Sequence, residues 1–459
     1  MLAVAAAILG SAAAAWPAAA SAADYLPGVV LVGYRSGPAA AAAADVALTM
    51  GVRRQEQAVA PGVHLVHLRR DVSVWAAIDR LRRQPGVAYA VPDYVAHEAG
   101  AAPWIPNDPG KANVPGGWEK MQWNFLPGTG VDAPQAWGNL IADDRPGGRG
   151  VIVAILDTGV AYRNWHRFRK SPDFTETRFV DPYDFVAGNR YPLDRNGHGT
   201  FVAGIVAEAT NNGFGLTGLA YGATIMPVRV LDQYGYGDAA TISKGIRYAV
   251  LHGAQVINLS LEFDPTVTAG EIPGIVSAIR FAHRHRVIVV AASGNEGSEQ
   301  IAYPARAPAV ISVGATTIDR CIADYSNGGT RLDLVAPGGG DDASLPNDPD
   351  CQPERQNLPD IYQMTFPNPA HPGRFGFPSG WYGTSMASPE VAATAALVIA
   401  TGVLGRLPTP DQVLARLEST AQGLGGSKPN SNYGYGLVDA GAATAPLGAT
   451  APPPAAANG

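Results

Sequence analysis

Charged residues and cysteines are both sparse in this sequence. Charged side chains account for 16% of the residues, and 33 Lys and Arg against 39 Asp and Glu give a formal net charge of -6. A chain without a basic excess has little to offer the phosphate backbone of a nucleic acid, so we expect no nucleic-acid partner. The two cysteines, Cys321 and Cys351, either form one disulfide or are two unrelated buried thiols. We favour the disulfide, because both lie in loop-like sequence of an apparently exported chain.

Long hydrophobic runs are missing too, apart from the start of the chain. The apolar stretch that ends at Ala15 is too short to span a bilayer and is followed by Ala20-Ser21-Ala22, which is typical of a signal-peptide cleavage site. It predicts a signal peptide over residues 1–22 and a secreted protein, extracellular or periplasmic, although no Lys or Arg precedes the apolar core. No later run is long and apolar enough to cross a bilayer, so we expect no membrane span.

Three polar residues stand beside three apolar runs. Asp157 follows an apolar, β-branched run that predicts a buried strand, His198 precedes a run that predicts a helix, and Ser385 opens a third apolar run. Gly383 permits a tight turn before Ser385, and Pro389 is suited to the beginning of a helix. At a helix N-terminus, free N–H groups favour negative charge near Ser385, although a serine there is also an ordinary helix cap.

An acid, a histidine and a serine together can activate a hydroxyl for nucleophilic attack. The histidine takes the serine proton, and a buried carboxylate fixes the tautomer of the histidine and stabilises the imidazolium. The chain order Asp, His, Ser excludes an α/β-hydrolase, which runs Ser, acid, His, and a chymotrypsin-like chain, which runs His, Asp, Ser. Asp157-Thr158-Gly159 also suggests an aspartic protease, but that chemistry needs two carboxylates, and no second such tripeptide occurs.

The three motifs resemble those of the subtilases, the subtilisin-like serine peptidases, and the resemblance extends from an N-terminal pro-segment to Ala440. It implies that Asp157 is the carboxylate, His198 the base and Ser385 the nucleophile. Asn295 stands in a Ser-Gly-Asn-Glu-Gly segment similar to the one whose asparagine side chain forms half of the family's oxyanion hole. The main-chain N–H of Ser385 would be the second donor.

Strands and helices alternate between residues 24 and 99. The pattern predicts strands at 29–34, 63–68 and 87–91, a further possible strand near 55–60, and helices over 39–50 and 72–83. This order is typical of a small ferredoxin-like α+β domain. Its end, Val91-Pro92-Asp93-Tyr94, resembles that of the inhibitory propeptides of subtilases. Residues 23–100 are therefore predicted to be such a propeptide, rather than an independent binding domain.

Beyond a Gly-, Pro- and Ala-rich linker over 99–117, where cleavage is expected, short apolar strands alternate with helices. This alternation predicts a doubly wound α/β fold with a parallel sheet, in agreement with the subtilisin-like fold that the resemblance implies. The predicted peptidase domain covers 101–445. Residues 338–380 are a Pro/Gly-rich insertion that leads to Ser385, and residues 446–459 are a low-complexity tail.

Two segments resemble the edges that hold the substrate as an added strand in subtilases. One is Gly235-Tyr236-Gly237, and the other is Ser260-Leu261-Glu262 with the following Phe263. Glu262 and Phe263 stand where the family usually has two glycines. A bulkier wall there would alter the first specificity pocket, unless both side chains point away from the cleft.

Residues 211–216 resemble the calcium loop of subtilases, in which backbone carbonyls and an asparagine oxygen bind the ion. The resemblance implies a structural Ca²⁺ held by Asn212, with Asp108 and Asp173 as acidic partners, and no catalytic cofactor. A glycine-rich turn without a metal is the alternative.

Together these observations predict a secreted, self-processing serine endopeptidase, expected to be a monomer. Its substrates would be proteins or peptides, and its own propeptide would be an intramolecular inhibitor. One alternative is an amidase or esterase that uses the same acyl-transfer chemistry. Another is a catalytically silent subtilase-like binding protein, which is disfavoured because all four site residues are present. Phe201 and Glu390 depart from the family pattern, since histidines are common at both positions.

Overall fold

The computed structural model describes residues 25–35, 52–57, 62–69, 72–94, 101–345 and 347–447. These residues form two compact units, one within residues 1–98 and the other within residues 99–459. The predicted signal peptide over 1–22, the predicted helix over 39–50 and residues 448–459 of the predicted tail lie outside the described ranges. No helix among the described residues has the length and apolar character needed to cross a membrane.

The N-terminal unit is a four-stranded antiparallel sheet with a helix packed on it. Its strand order is β2-β3-β1-β4, which agrees with the predicted ferredoxin-like class. Apolar residues spaced three and four apart place one face of the helix against the sheet. The elements are β1 (Tyr25–Tyr34), β2 (Val52–Gln57), β3 (Val63–Leu68), α1 (Val74–Arg82) and β4 (Val87–Tyr94).

The C-terminal unit alternates strands with helices, as the sequence predicts. Its strands are β5 (Ile152–Asp157), β6 (Arg178–Phe179), β7 (Tyr183–Asp184), β8 (Thr224–Arg229), β9 (Val256–Leu259), β10 (Ile288–Ala292), β11 (Ile311–Thr316) and β12 (Leu334–Pro337). Its helices are α2 (Ala133–Ala142), α3 (His198–Ala207), α4 (Ala239–Leu251), α5 (Pro273–Arg284), α6 (Thr384–Thr401), α7 (Pro410–Thr420) and α8 (Ala440–Thr444). Short 3-10 helices lie at Gly110–Ala112, Gly117–Lys120, Trp123–Phe125, Pro146–Gly148 and Pro172–Phe174.

The strands of this unit form one parallel sheet in the order β12-β11-β10-β9-β5-β8-β6, with β7 also paired to β8. Alternate residues of β5 face opposite sides of the sheet. Val153 and Ile155 join the core that contains α3 and α6, whereas Ala154 and Leu156 join the core that contains α4 and α5. A parallel sheet covered by helices on both faces is a doubly wound α/β fold, so the predicted fold class is confirmed.

Helix α6 is largely buried, and its start differs from the prediction. We expected Pro389 at the beginning of the helix, but α6 begins at Thr384 and Pro389 lies inside it. A proline has no N–H to donate to the carbonyl four residues earlier, which is that of Ser385. The Ser260 hydroxyl donates to this carbonyl instead, at 2.8 Å. The bond that the proline cannot make is thus replaced by one that ties the start of α6 to the segment after β9.

Glu390, one of the two residues expected to depart from the family pattern, is a buried core residue. Asn124 Nδ2 donates to Glu390 Oε1 at 2.7 Å. Burial raises the pKa of Glu390 well above its ordinary value, against the smaller lowering by Asn124. Glu390 Oε2 and Asn124 Oδ1 have no hydrogen-bond partner within the described part of the chain. A buried carboxyl oxygen without a donor disfavours the ionised form, in agreement with the raised pKa of Glu390.

Candidate active site

Asp157 and His198 are in direct contact. Asp157 is the last residue of β5 and is fully buried. His198 is the first residue of α3, and its Nδ1 lies 2.8 Å from Oδ1 and 3.0 Å from Oδ2 of Asp157. Burial lowers the pKa of His198, but the charge and hydrogen bond of Asp157, with the charge of Asp194, outweigh burial and the net shift is upward. A neutral His198 that donates from Nδ1 to Asp157 presents Nε2 as a base.

Asp194, which sequence reasoning missed, fixes the residues around His198. It is buried, and it accepts hydrogen bonds from the Thr158 hydroxyl at 2.9 Å and from the Thr200 N–H and hydroxyl at 2.9 and 2.6 Å. The Thr158 hydroxyl accepts in turn from the Gly199 N–H at 3.0 Å. These bonds join the end of β5 to the first turn of α3, so they hold Asp157 and His198 in place. The sequence offers no signal for Asp194 beyond its position shortly before the histidine motif.

Ser385, the second residue of α6, is half-buried. Its hydroxyl donates to the main-chain carbonyl of Ser260, 3.4 Å away. Because a hydroxyl has one proton to donate, it must leave this carbonyl before it can donate to His198. Ser260 is itself held by Asn258, whose Nδ2 donates to the Ser260 hydroxyl at 2.9 Å and whose Oδ1 accepts from the Ser388 hydroxyl at 2.8 Å. Strand β9 therefore fixes the start of α6.

Asn295 follows β10 and contacts the residue before Ser385. Its Oδ1 accepts from the N–H of Thr384 at 2.8 Å and from the Thr384 hydroxyl at 3.0 Å. Its Nδ2 donates to Glu262 Oε1 at 3.1 Å. Sequence reasoning missed Thr384 as the anchor of this amide. With its oxygen held by Thr384 and one amide hydrogen donated to Glu262, the amide retains one hydrogen for a further acceptor.

Three neighbouring strands bring these residues to one edge of the sheet. In the order β10-β9-β5, the carboxyl ends lead to Asn295, Ser260 and Asp157. Asn295 is bonded to Thr384, Ser260 to Ser385, and Asp157 to His198. In open α/β sheets this edge is where ligands bind. The structure therefore brings all four predicted catalytic residues to the place where the fold class puts a functional site.

Glu262 points toward Asn295, and Phe263 does not. Besides the bond from Asn295 Nδ2, Glu262 accepts the main-chain N–H of Asn295 through Oε2 at 3.1 Å. Burial, with the charge of Glu296, raises the pKa of Glu262 to about 7, against the lowering by the two bonds from Asn295. Phe263 packs on the core that contains α4 and α5. Glu262 thus contacts a candidate catalytic residue, whereas Phe263 packs into the core.

The two predicted substrate edges differ in their surroundings. Leu261 is buried and Ser260 is bonded to Ser385, so the second segment lies next to the candidate nucleophile. Gly235, Tyr236 and Gly237 form an exposed turn after β8, in which the Asp232 N–H donates to the Tyr236 carbonyl at 2.7 Å. Tyr236 is 77% exposed and presents a free aromatic ring.

Trp381, directly after the predicted insertion, is a further residue that sequence reasoning missed. It stacks on Phe201 with ring centroids 4.7 Å apart, and its centroid lies 6.1 Å from that of His198. Phe201 is fully buried, so its apolar ring supports the tryptophan.

Cys321 and Cys351 form a disulfide that joins the segment after β11 to the predicted insertion.

Asp108, Asp173 and Asn212 lie together, as the resemblance implies. Asn212 Nδ2 donates to Asp173 Oδ1 at 3.2 Å, and the main-chain N–H of Asn212 donates to Asp108 Oδ1 at 3.2 Å. The N–H groups of Asn211 and Leu216 also donate to these two carboxyl groups. The loop thus turns N–H groups toward the acids. No cluster of three or more His, Cys, Asp or Glu side chains suited to a metal ion occurs among the described residues.

Glu208 adds a third buried acid to this region. Burial raises the pKa of Asp173 to about 8, and the charge of Asp108 adds to the shift. Burial and the charge of Asp173 raise the pKa of Glu208 well above its ordinary value. Glu208 Oε2 has no hydrogen-bond partner within the described ranges. Buried carboxyl groups are ligands that suit a hard divalent cation by their chemistry, but main-chain N–H groups donate to Asp108 and Asp173, so their arrangement in the described residues is not that of a formed metal site.

Comparison with known proteins places the whole arrangement in one family. Residues 148–436 match the subtilase family (peptidase S8), and residues 11–93 match the fervidolysin N-terminal prodomain. A thermophilic serine proteinase of Bacillus sp. (strain AK1) is 34% identical over 362 residues, which cover 79% of this chain and 74% of that protein. Thermitase of Thermoactinomyces vulgaris is 33% identical over 324 residues, which cover 71% of this chain and 94% of that protein.

A solved structure of a protease from Pseudoalteromonas arctica is similar with a TM-score of 0.58 at 28% identity, and the match covers 74% of this chain and 98% of that chain. A lanthipeptide protease is similar with a TM-score of 0.56 at 26% identity, covering 72% of this chain and 96% of that chain. The chain therefore belongs to the subtilase family, as a subtilisin-like serine protease with an N-terminal propeptide.

Proposed function

We propose that this protein is a secreted endopeptidase that hydrolyses peptide bonds with Asp157, His198 and Ser385 as its catalytic triad. The observation that carries the proposal is the buried Asp157–His198 pair, with Nδ1 2.8 Å from the carboxylate, at the sheet edge to which Ser385 is tied. A carboxylate that holds the histidine in this way leaves Nε2 free to take a proton from a serine hydroxyl.

The reaction begins when the Ser385 hydroxyl leaves the Ser260 carbonyl and turns to His198. His198 Nε2 takes the proton while Ser385 Oγ attacks the peptide carbonyl, and Asp157 stabilises the imidazolium. Asn295 Nδ2 and the Ser385 N–H donate to the oxyanion of the tetrahedral intermediate. His198 then returns the proton to the leaving amine, which gives an acyl-enzyme. A water molecule, activated by His198, hydrolyses it.

The division of the chain follows from the same proposal. Residues 1–22 direct export and residues 23–100 inhibit the enzyme as an intramolecular propeptide. Residues 101–445 are the peptidase, including the insertion 338–380, and act as a monomer on protein or peptide substrates; residues 446–459 are a tail. The enzyme removes its own propeptide by cleavage within 99–117. The division of the structure between residues 98 and 99 supports the boundary between the propeptide and the peptidase.

The function is tested by incubating the purified protein with an unfolded protein and with small esters, with and without a serine-directed phosphonate. We expect hydrolysis of the unfolded protein into peptides, abolished by the phosphonate, because Ser385 is the nucleophile. Cleavage of esters without cleavage of the protein would identify an esterase or amidase instead. Binding of proteins without any hydrolysis or phosphonate labelling would identify a silent subtilase-like binding protein.

Calcium is part of the proposal as a structural ion held by Asp108, Asp173 and Asn212. When bound, it would neutralise buried carboxylates whose mutual repulsion destabilises the fold. A ligand that binds the folded state alone stabilises it by about 2.7 kcal/mol at a concentration 100 times its Kd.

Removing calcium should therefore lower the melting temperature, by about 5 °C if the ion is near that level of saturation. Differential scanning fluorimetry with a chelator and with excess calcium measures the change. Asp173→Asn should abolish the difference between the two conditions, whereas Asp341→Asn, in an acidic run outside the site, should keep it. Identical melting curves of the wild-type protein with chelator and with calcium would exclude a structural calcium ion.

A further inference from the structure

Glu262 holds the proposed oxyanion donor. Its Oε1 accepts from Asn295 Nδ2 and its Oε2 from the Asn295 main-chain N–H, both at 3.1 Å. Asn295 Oδ1 accepts from Thr384, so the amide is fixed at both ends. A primary amide nitrogen carries two hydrogens, and Glu262 takes one of them. The other remains for an oxyanion.

The Glu262 oxygen that accepts the Asn295 N–H also lies close to Gly294. Glu262 Oε2 is 2.5 Å from the position that a Cβ would occupy on Gly294. Gly294 has a φ of 115°, a conformation that favours glycine. A side chain at this position would collide with Asn327 Nδ2, which is 2.1 Å from the same Cβ position, and with the Glu262 carboxyl group. The glycine therefore creates the space in which Glu262 reaches Asn295.

Glu262 has no cationic partner within the described residues. The charged group that acts on it is Glu296, an exposed residue whose Oε2 accepts from Asn327 Nδ2 at 2.5 Å. Half-buried beside another acid, Glu262 has a pKa raised to about 7, with burial as the main cause. Two acids without a counterion, beside a nucleophile, can form an ion pair with a positively charged group of a bound molecule.

We propose that Glu262 selects substrates with lysine or arginine at the residue that precedes the scissile bond, a specificity that rests on the proposed function. The carbonyl attacked by Ser385 must place its oxygen within hydrogen-bond reach of Asn295 Nδ2. Glu262 Oε1 lies one hydrogen bond beyond that nitrogen. The side chain of this residue starts one bond away from the same carbonyl carbon, and lysine and arginine are long enough to reach the carboxyl group from there.

In the same arrangement, a cationic side chain of the substrate should stabilise the transition state. An ionised Glu262 lies two hydrogen bonds from the developing oxyanion, where like charges repel appreciably in a half-buried site. A lysine or arginine side chain pairs with the carboxylate and offsets this repulsion. The preference is therefore expected in kcat as well as in KM, because the repulsion is largest when the oxyanion has formed.

The proposed self-cleavage does not require this preference. Within the proposed cleavage segment 99–117, Lys111 is the one Lys or Arg, so a cut at any other bond there follows a residue that is neither Lys nor Arg. Within one chain the scissile bond is presented at a high effective concentration, which compensates for an unfavourable side chain. The preference for a cation is thus a property of substrates that arrive from solution.

The test uses matched chromogenic peptides that differ in the residue before the scissile bond: lysine, arginine, glutamine or methionine. For the wild-type enzyme we expect kcat/KM with lysine or arginine to exceed that with methionine by about 10-fold or more. Glu262→Gln keeps the length of the side chain but removes its charge, and it should bring this ratio close to one. Glu176→Gln, which neutralises an exposed glutamate elsewhere in the same unit, should keep the wild-type ratio.

A neutral fluorescent phosphonate that labels Ser385 separates the possible failures. A protein that is neither labelled nor able to cleave any of the peptides would contradict the proposed function itself. A labelled wild-type enzyme that cleaves the methionine peptide as fast as the lysine peptide would overturn the role of Glu262, as would a labelled Glu262→Gln variant with the wild-type ratio. If Glu262→Gln is not labelled, Glu262→Gly, with the residue usual in the family, replaces it and should show the same loss of preference.

Discussion

Replacing Ser385 by alanine should leave the protein at its full length after export, with the propeptide still attached. The substitution removes the nucleophile and one weak hydrogen bond of 3.4 Å, while the bond from the Ser260 hydroxyl to the main-chain carbonyl of residue 385 remains. The fold is therefore retained and the chemistry is lost, by roughly 10⁶-fold in a triad of this type. His198→Ala should have the same effect, because the hydroxyl then has no base.

Mass spectrometry of each variant, produced in a host that lacks its main extracellular proteases, decides the matter. Ser419→Ala, which removes an exposed hydroxyl from α7, is the matched control and should be processed like the wild type. Wild-type processing should be independent of protein concentration, since both reacting groups belong to one chain. If Ser385→Ala or His198→Ala is trimmed near Ala99 at the wild-type rate, another protease matures this protein.

Asn295→Ala should lower kcat by about 10²–10³-fold with little change in KM. The Asn295 amide meets the substrate oxygen mainly in the transition state, when that oxygen carries negative charge. Steady-state kinetics on a peptide substrate, normalised to the phosphonate-reactive fraction, measures the loss.

The structure also calls for a control in this experiment, because Asn295 Oδ1 anchors Thr384 next to the nucleophile. Thr384→Val removes the hydroxyl bond to Asn295 and keeps the main-chain bond. It should cost at most about 10-fold, in the range of one hydrogen bond. Full turnover of Asn295→Ala would remove the amide from the mechanism. An equal loss in Thr384→Val would mean that Asn295 acts by positioning the start of α6.

The fold and the positions of the four candidate catalytic residues could be predicted because each residue adjoins a strongly apolar element. A buried parallel strand is nearly all apolar, so the Asp157 that ends it stands out in the sequence. Ser385 and His198 likewise stand at the start of helices whose residues are mostly apolar. The predicted place of Pro389 was wrong for a local reason, since the carbonyl that it leaves unpaired is satisfied by Ser260, a residue distant in sequence.

Glu262, Asp194 and Trp381 illustrate what the sequence does not provide. The direction of Glu262 depends on Asn295 and on the space left by Gly294, neither of which is near it in the chain. Asp194 and Trp381 act on His198 and Phe201 through a hydrogen-bond network and a ring stack that form after the chain has folded. Such residues belong to no periodic pattern, because their partners are set by the fold and not by local spacing.

The order of the strands and of α6 along the chain has a consequence for the synthesis and folding of the enzyme. Strand β5, which carries Asp157, pairs with β8 and β9, and every strand of the sheet precedes α6 in the chain. Ribosomal synthesis therefore delivers the nucleophile after all the strands it will rest on. Parallel pairings between distant segments close large loops and form slowly. A growing chain thus holds its acid and its base for some time without a serine to activate, and it cannot digest its neighbours while it is still being made.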